Sequence, residues 1–123
     1  MTDSWDDKTP IYQQLRQRVV GYIISGAFLE GEAVPSVRQV SSDLRINHLT
    51  VSKAYQALVD NGVLEKRRGL GMFVVDGARE KLLAESRTQF EQEEVPQMVQ
   101  RANSLGVSSA ELIEIIESFS KGK

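Results

Sequence analysis

Apolar residues recur near the start of the chain at helical spacing. Ile11, Leu15, Val19 and Ile23 fall at i, i+4, i+8 and i+12, which makes one stripe of an amphipathic helix. Thr9-Pro10 predicts its start, with Thr9 as the N-cap and Pro10 at the first helical position, where a missing N–H costs little. Gly26 predicts its end in a left-handed conformation. After the loop 27–32, Ser36-Val37-Arg38-Gln39 has the spacing of a capping box, in which the Ser and Gln side chains satisfy each other's free backbone donors. A short second helix follows, with Val37, Val40 and Leu44 as its apolar face, ending near Arg45. Ile46-Asn47 forms a tight turn, and Asn47 is a good N-cap for a third helix. That helix runs to about Asp60 with Val51, Ala54, Tyr55 and Leu58 facing inward, and Asn61-Gly62 closes it.

The periodicity then changes. Val63-Leu64-Glu65-Lys66 and Met72-Phe73-Val74-Val75 are β-type runs separated by Arg67-Arg68-Gly69-Leu70-Gly71, a glycine-containing loop that predicts a hairpin. Asp76-Gly77 marks a boundary. The remainder reads as helical: Leu82, Leu83 and Phe90 in one segment, then Met98, Val99, Ala102 and Leu105 up to Gly106. Pro96 either starts a new helix there or kinks the old one. Ser108-Ser109-Ala110-Glu111 repeats the capping-box spacing and opens a last helix with Leu112, Ile113, Ile115, Ile116 and Phe119. The expected fold is mainly α with a small β-hairpin. A winged helix-turn-helix over residues 8–76 precedes a short all-helical dimerisation domain over 77–123. The apolar face of the last helix is too wide for two or three short helices to bury. A second copy covers it on one reading, through Leu82, Phe90, Met98, Val99, Leu112, Ile113, Ile116 and Phe119; on the other, it packs back onto the N-terminal domain.

Composition narrows the function. Hydrophobic residues make up 41% of the 123, enough for a packed core, and there is no cysteine. That removes disulfides, thiolate metal sites and cysteine nucleophiles together and fits a cytoplasmic protein. The start of the chain, Met1-Thr2-Asp3-Ser4-Trp5-Asp6-Asp7, has neither the basic start nor the apolar stretch of a signal peptide. No apolar run approaches the roughly 20 residues that span a bilayer. The net charge of −2 argues weakly against a nucleic-acid protein, but its distribution changes that reading, leaving either plain solvated surface in both halves or a local phosphate-binding one. Lys8 to Val75 holds nine basic and five acidic residues, whereas the rest holds six and twelve. Phosphate binding requires a locally positive surface, not a basic whole.

A winged helix-turn-helix places its third helix in the major groove, where base edges present distinct donor and acceptor patterns. The candidate DNA-binding residues on and before that helix are Asn47, His48, Leu49, Thr50, Ser52 and Lys53, with Ser36 and Arg38 at the start of the second. Arg38 opposes the helix macrodipole there, which favours a functional reason for it over a surface salt bridge. Lys66, Arg67 and Arg68 make the hairpin tip basic. His48 is the sole histidine and makes a poor metal site alone; no metal, cofactor or catalytic set is expected.

These residues resemble a known family. Pro10-Ile11-Tyr12, Gly31-Glu32, Val34-Pro35-Ser36-Val37-Arg38, Asn47, Thr50-Val51, Ala54-Tyr55 and Leu58, followed by Gly62-Val63-Leu64 and Arg68-Gly69-Leu70-Gly71-Met72-Phe73-Val74, are similar in order and spacing to the GntR family of bacterial regulators. The short tail with Leu112-Ile113-Glu114 resembles the YtrA-like subfamily. The resemblance implies a dimeric repressor on an inverted-repeat operator. It implies that Arg38 reaches a guanine edge, that Ser36 and Thr50 contact phosphates, and that Arg68, Gly69 and Gly71 belong to the wing. The chain departs from the family pattern at His48 and Leu49. Leucine cannot hydrogen-bond a base, so the operator preference does not carry over.

Two other classes compete. A winged helix can be a protein-interaction module that no longer binds DNA, and Leu49 keeps that reading open; Arg38 and the basic wing oppose it. Some members of the family carry an aminotransferase-like enzyme domain, for which the stretch after Gly77 is far too short. Gly69-Leu70-Gly71 lies in a hairpin and not at a strand-to-helix turn, so it is no dinucleotide fingerprint. The effector, if one exists, is not legible in the sequence.

Overall fold

The computed structural model describes residues 5–120. The chain forms two compact units, one ending at Ala84 and one beginning at Glu85. The first holds α1 (Ile11–Ser25), α2 (Val37–Leu44), α3 (His48–Asp60), β1 (Leu64–Arg67) and β2 (Gly71–Val74). Helix α4 (Ala78–Gln89) carries the chain into the second unit, which continues through a π-helical turn (Phe90–Glu94), α5 (Val95–Ser104) and α6 (Ser109–Ser120).

In the first unit the apolar stripes meet. Leu15, Val19 and Ile23 of α1 pack with Val40 and Leu44 of α2, Val51, Ala54, Tyr55 and Leu58 of α3, and Leu64 and Val74 of the hairpin. Each large side chain fully buried there contributes about 1.5–3 kcal/mol of hydrophobic stabilisation. Ile11 departs from the predicted stripe and is 38% exposed, while Val20 is buried. An i, i+4 row drifts around a helix of 3.6 residues per turn, so its end leaves the core. Pro10 is itself the N-cap, in an extended conformation, so the helix begins one residue later than predicted and Thr9 does not cap it.

Local chemistry accounts for the remaining boundaries. The Ser36 hydroxyl accepts the Gln39 N–H at 3.1 Å. The reciprocal half of that capping box is absent, because the Gln39 amide donates to Asp43 one turn on, at 2.9 Å. Asn47 Oδ1 accepts the Leu49 N–H at 2.8 Å and starts α3. Between α2 and α3, Arg45 adopts φ 55°, the left-handed region that otherwise holds only glycines among the described residues. The strands pair antiparallel with Leu64 opposite Val74 and Arg67 opposite Gly71. The loop is therefore Arg68-Gly69-Leu70, two residues shorter than predicted, with Gly69 at φ 77° where a Cβ would be strained. The segment before α2 joins the sheet: Gly31 and Val34 donate to the Val74 and Met72 carbonyls at 2.8 and 2.9 Å.

The start of α4 is anchored within the first unit. Ala78 and Leu82 lie in its core. The Glu30 carboxylate accepts the Arg79 N–H at 3.0 Å. Arg79 Nε donates to the Ile24 carbonyl at 2.7 Å, and Lys81 Nζ donates to the Asn61 carbonyl. Backbone hydrogen bonds from Arg79 and Gly77 hold the Glu30 carboxyl below its ordinary range.

In the second unit Pro96 stands at the start of a helical element, as one of the two expectations has it. It lies in the first turn of α5, immediately after the π-helical turn, where the Val95 N–H reaches back to the Phe90 carbonyl. The wider turn accommodates a ring that lacks an N–H and would clash in a regular helix. Gly106 ends this segment at φ 76°. Ser108 and Glu111 then form the predicted capping box: the Ser108 hydroxyl accepts the Glu111 N–H at 3.2 Å and Glu111 Oε1 accepts the Ser108 N–H at 3.5 Å. No helix among the described residues is long and apolar enough to cross a membrane.

Candidate nucleic-acid interface

Helix α3 divides its side chains by direction. Val51, Ala54, Tyr55 and Leu58 are completely buried. Leu49, Lys53 and Gln56, at i, i+4 and i+7, lie on the opposite, solvent-facing side. Tyr55 locks this orientation. Its ring is inaccessible to solvent, and its hydroxyl donates to the Pro35 carbonyl at 2.7 Å. Burial pushes its pKa above the ordinary tyrosine value. The bond ties the middle of α3 to the residue preceding the Ser36 cap at the start of α2.

At that junction Arg38 and His48 line one recess of about 460 Å³ with Val37 and Ser41. A second recess of about 300 Å³ lies between α3 and the wing. Ser36, Ser52, Gln56, Lys66 and Gly71 surround it, over a floor that includes Tyr55 and Met72. The Ser36 oxygen is engaged by the cap, leaving its hydroxyl hydrogen to donate outward. The same division holds for Asn47, whose oxygen is engaged and whose amide group can donate. Thr50 is half-buried in the first turn of α3. Lys53 Nζ stands 4.2 Å from the centre of the Tyr12 ring, a cation–π contact that steadies a long side chain.

The three wing cations do not act alike. Strand alternation puts Lys66 on the side of α3. Arg67 instead pairs with Glu65 at 2.9 Å and stacks over Phe73, with its guanidinium carbon 4.1 Å from the ring centre. Arg68 and Gly69 lie at the exposed tip with Leu70, which is 70% exposed. Leu70 and Tyr12 are not among the site residues that the sequence predicts. A non-polar tip residue between two glycines was the available signal for the first; the cation–π partnership of the second depends on the fold.

The expected dimerisation residues are dispersed. Leu82 is 3% exposed and belongs to the core of the first unit, so its side chain is committed within its own chain. Its helical spacing could not reveal which neighbour buries it. Phe90, Met98, Ile113, Ile116 and Phe119 are exposed, Phe119 by 77%; Val99 and Leu112 are half-buried. Ala102 is the buried hydrophobic residue among the described residues of the second unit. Those residues hold no group of three or more His, Asp or Glu side chains arranged to bind a metal.

Comparison with known proteins places this geometry. The sequence profile described as "Bacterial regulatory proteins, gntR family" matches residues 10–74. The chain is 33% identical over 112 residues to the HTH-type transcriptional repressor YtrA of Bacillus subtilis (strain 168), covering 91% of this chain and 85% of that one. A GntR-family transcriptional regulator from Bacteroides thetaiotaomicron superposes with a TM-score of 0.75 at 31% identity, covering 89% of this chain and 96% of that one. The AraR DNA-binding domain in complex with operator ORE1 superposes with a TM-score of 0.53 at 27% identity, covering 55% and 82%. A third helix with one buried and one exposed face, a basic wing and a short helical tail thus occur here in a chain whose relatives are described as transcription regulators. The chain belongs to the gntR family of bacterial regulatory proteins, on its YtrA-like branch, and is a DNA-binding transcription regulator.

Proposed function

We propose that the protein is a cytoplasmic, dimeric repressor that reads an inverted-repeat operator. Residues 8–76 bind DNA, and residues 77–123 carry the dimerisation surface, beyond the start of α4 that packs in the first unit. The observation that carries this reading is the convergence of Arg38 and His48 in one recess, beside the outward face of α3. Lys66 closes the wing side of the adjoining recess, which also holds Ser36 and Ser52. Helix α3 enters the major groove, Arg38 hydrogen-bonds a guanine edge, and Ser36, Thr50, Lys53 and Lys66 bind phosphates. Arg68, Gly69 and Gly71 bring the wing against the neighbouring backbone. The apolar surface of α6, with Ile113, Ile116 and Phe119 exposed, supports a second copy as its cover. Two copies related by a two-fold axis present recognition helices about 34–36 Å apart or a multiple of that, which requires a palindromic site. The Bacillus subtilis relative is a repressor, which supports the same sign of regulation here.

The test is selection of bound fragments from a randomised duplex pool, followed by affinity measurements across salt for the native protein and Arg38→Ala. The expected result is an inverted-repeat site and a slope of log K on log salt near −0.9 per phosphate contacted. Arg38→Ala should lose about 1–3 kcal/mol of discrimination at one base pair per half-site. No enrichment and a flat salt response would make the winged helix a protein-interaction surface instead.

A further inference from the structure

Leu49 is an unusual side chain for its position. It lies in the first turn of α3, preceded by Asn47 and His48 and followed by Thr50, Ser52 and Lys53. Each of those neighbours carries a hydrogen-bonding or charged group; Leu49 carries only carbon. It is 65% exposed, on the side of the helix opposite Val51, Ala54, Tyr55 and Leu58. Its backbone is fixed, because its N–H donates to Asn47 Oδ1 at 2.8 Å. The side chain therefore projects from a rigid turn, neighbouring the residue that joins Arg38 in the recess.

We infer that Leu49 makes DNA recognition depend on the C5-methyl group of a pyrimidine in the major groove. This rests on the proposed reading of DNA through α3. Among the groups on the base edges of that groove, the pyrimidine C5-methyl is the apolar one, and every other distinguishing group is a hydrogen-bond donor or acceptor. Leucine leaves any donor or acceptor opposite it desolvated and unpaired, which costs affinity. Opposite a methyl group it buries apolar surface on both partners. Two bases present that methyl at the same place: thymine, and cytosine methylated at C5. Polar positions around Leu49 set the rest of the site, and Leu49 reads the methyl.

The experiment uses the full chain and the selected operator. Each thymine of a half-site is replaced in turn by 2′-deoxyuridine, which removes the methyl and leaves every hydrogen-bonding group. Each cytosine is replaced in turn by 5-methyl-2′-deoxycytidine, which adds it. For the native protein, one position per half-site should change affinity by roughly three- to fivefold, the scale of one buried methyl group. A loss on thymine demethylation identifies thymine as the source; a gain on cytosine methylation identifies 5-methylcytosine. In Leu49→Ser the same substitution should have no effect, whereas Leu49→Met should retain it. Matching thermal melts show that the exposed substitutions leave the fold intact. If the protein selects an operator but no methyl change alters affinity, or if Leu49→Ser retains the effect, the inference is overturned while the DNA-binding reading stands. If no duplex is selected, both fall.

Discussion

Replacing Tyr55 by phenylalanine isolates one hydrogen bond in the interior. The ring is fully buried, and phenylalanine preserves it, so the packing between α1, α2 and α3 is retained. What disappears is the 2.7 Å bond from the Tyr55 hydroxyl to the Pro35 carbonyl. The net value of such a bond, with a partly buried acceptor left to find another partner, sets the cost at about 1–2 kcal/mol. For a cooperative unit of this size that lowers Tm by roughly 5–10 °C. A second signature lies at alkaline pH. Burial raises the pKa of Tyr55 above the ordinary value of 10.0. Between the unfolded pKa and the folded one, the native state keeps a proton that the unfolded chain has lost. Stability is therefore complete below about pH 10 and falls above it, by about 1.4 kcal/mol per pH unit for this group. Tyr55→Phe carries no such proton, so its deficit should narrow by about 1.4 kcal/mol by pH 11. Urea denaturation followed by far-UV circular dichroism at fixed protein concentration measures both. Equal stabilities at pH 7, or parallel alkaline slopes, would show that the hydroxyl neither holds Pro35 nor is shielded from water.

Arg45 occupies a left-handed conformation at φ 55°, which costs a side-chain-bearing residue about 1–2 kcal/mol. Arg45→Gly should therefore raise the urea midpoint, while Arg45→Val should lower it. Glu30 caps α4, and backbone hydrogen bonds lower its pKa from the usual 4.5. Its stabilisation is present above the unfolded pKa and lost as pH falls through the lower folded value. Acid titration of stability should show this component in the native chain and not in Glu30→Gln. Lys66→Ala should reduce the salt slope of DNA binding by about 0.9. Arg67→Ala should leave it nearly unchanged, because Arg67 is paired with Glu65 and stacked on Phe73; comparable changes in the two variants would refute the division of the wing into two faces.

Much of this protein is decided within a few residues of chain. Ser36, Asn47 and the Ser108–Glu111 pair cap the helices they precede because a short polar side chain reaches only the next turn. Gly26 and Gly106 stop helices through their own backbone freedom. Stripes at helical spacing mark Leu15, Val19, Ile23, Val51 and Leu58 as inward-facing, and an ordered series of short motifs identifies the family. Periodicity states that a side chain is buried, not what buries it. Leu82 carries the same signal as the exposed residues of the tail, yet it joins the core of the first unit. The cap of α4 comes from Glu30, 49 residues before the N–H it accepts, and Tyr55 meets Pro35 across 20 residues. Adjacent cations on one strand diverge because a sheet sends alternate side chains to opposite faces, and only the partner strand shows which face meets α3. These assignments belong to the tertiary structure, since each depends on the close approach in space of groups far apart along the chain.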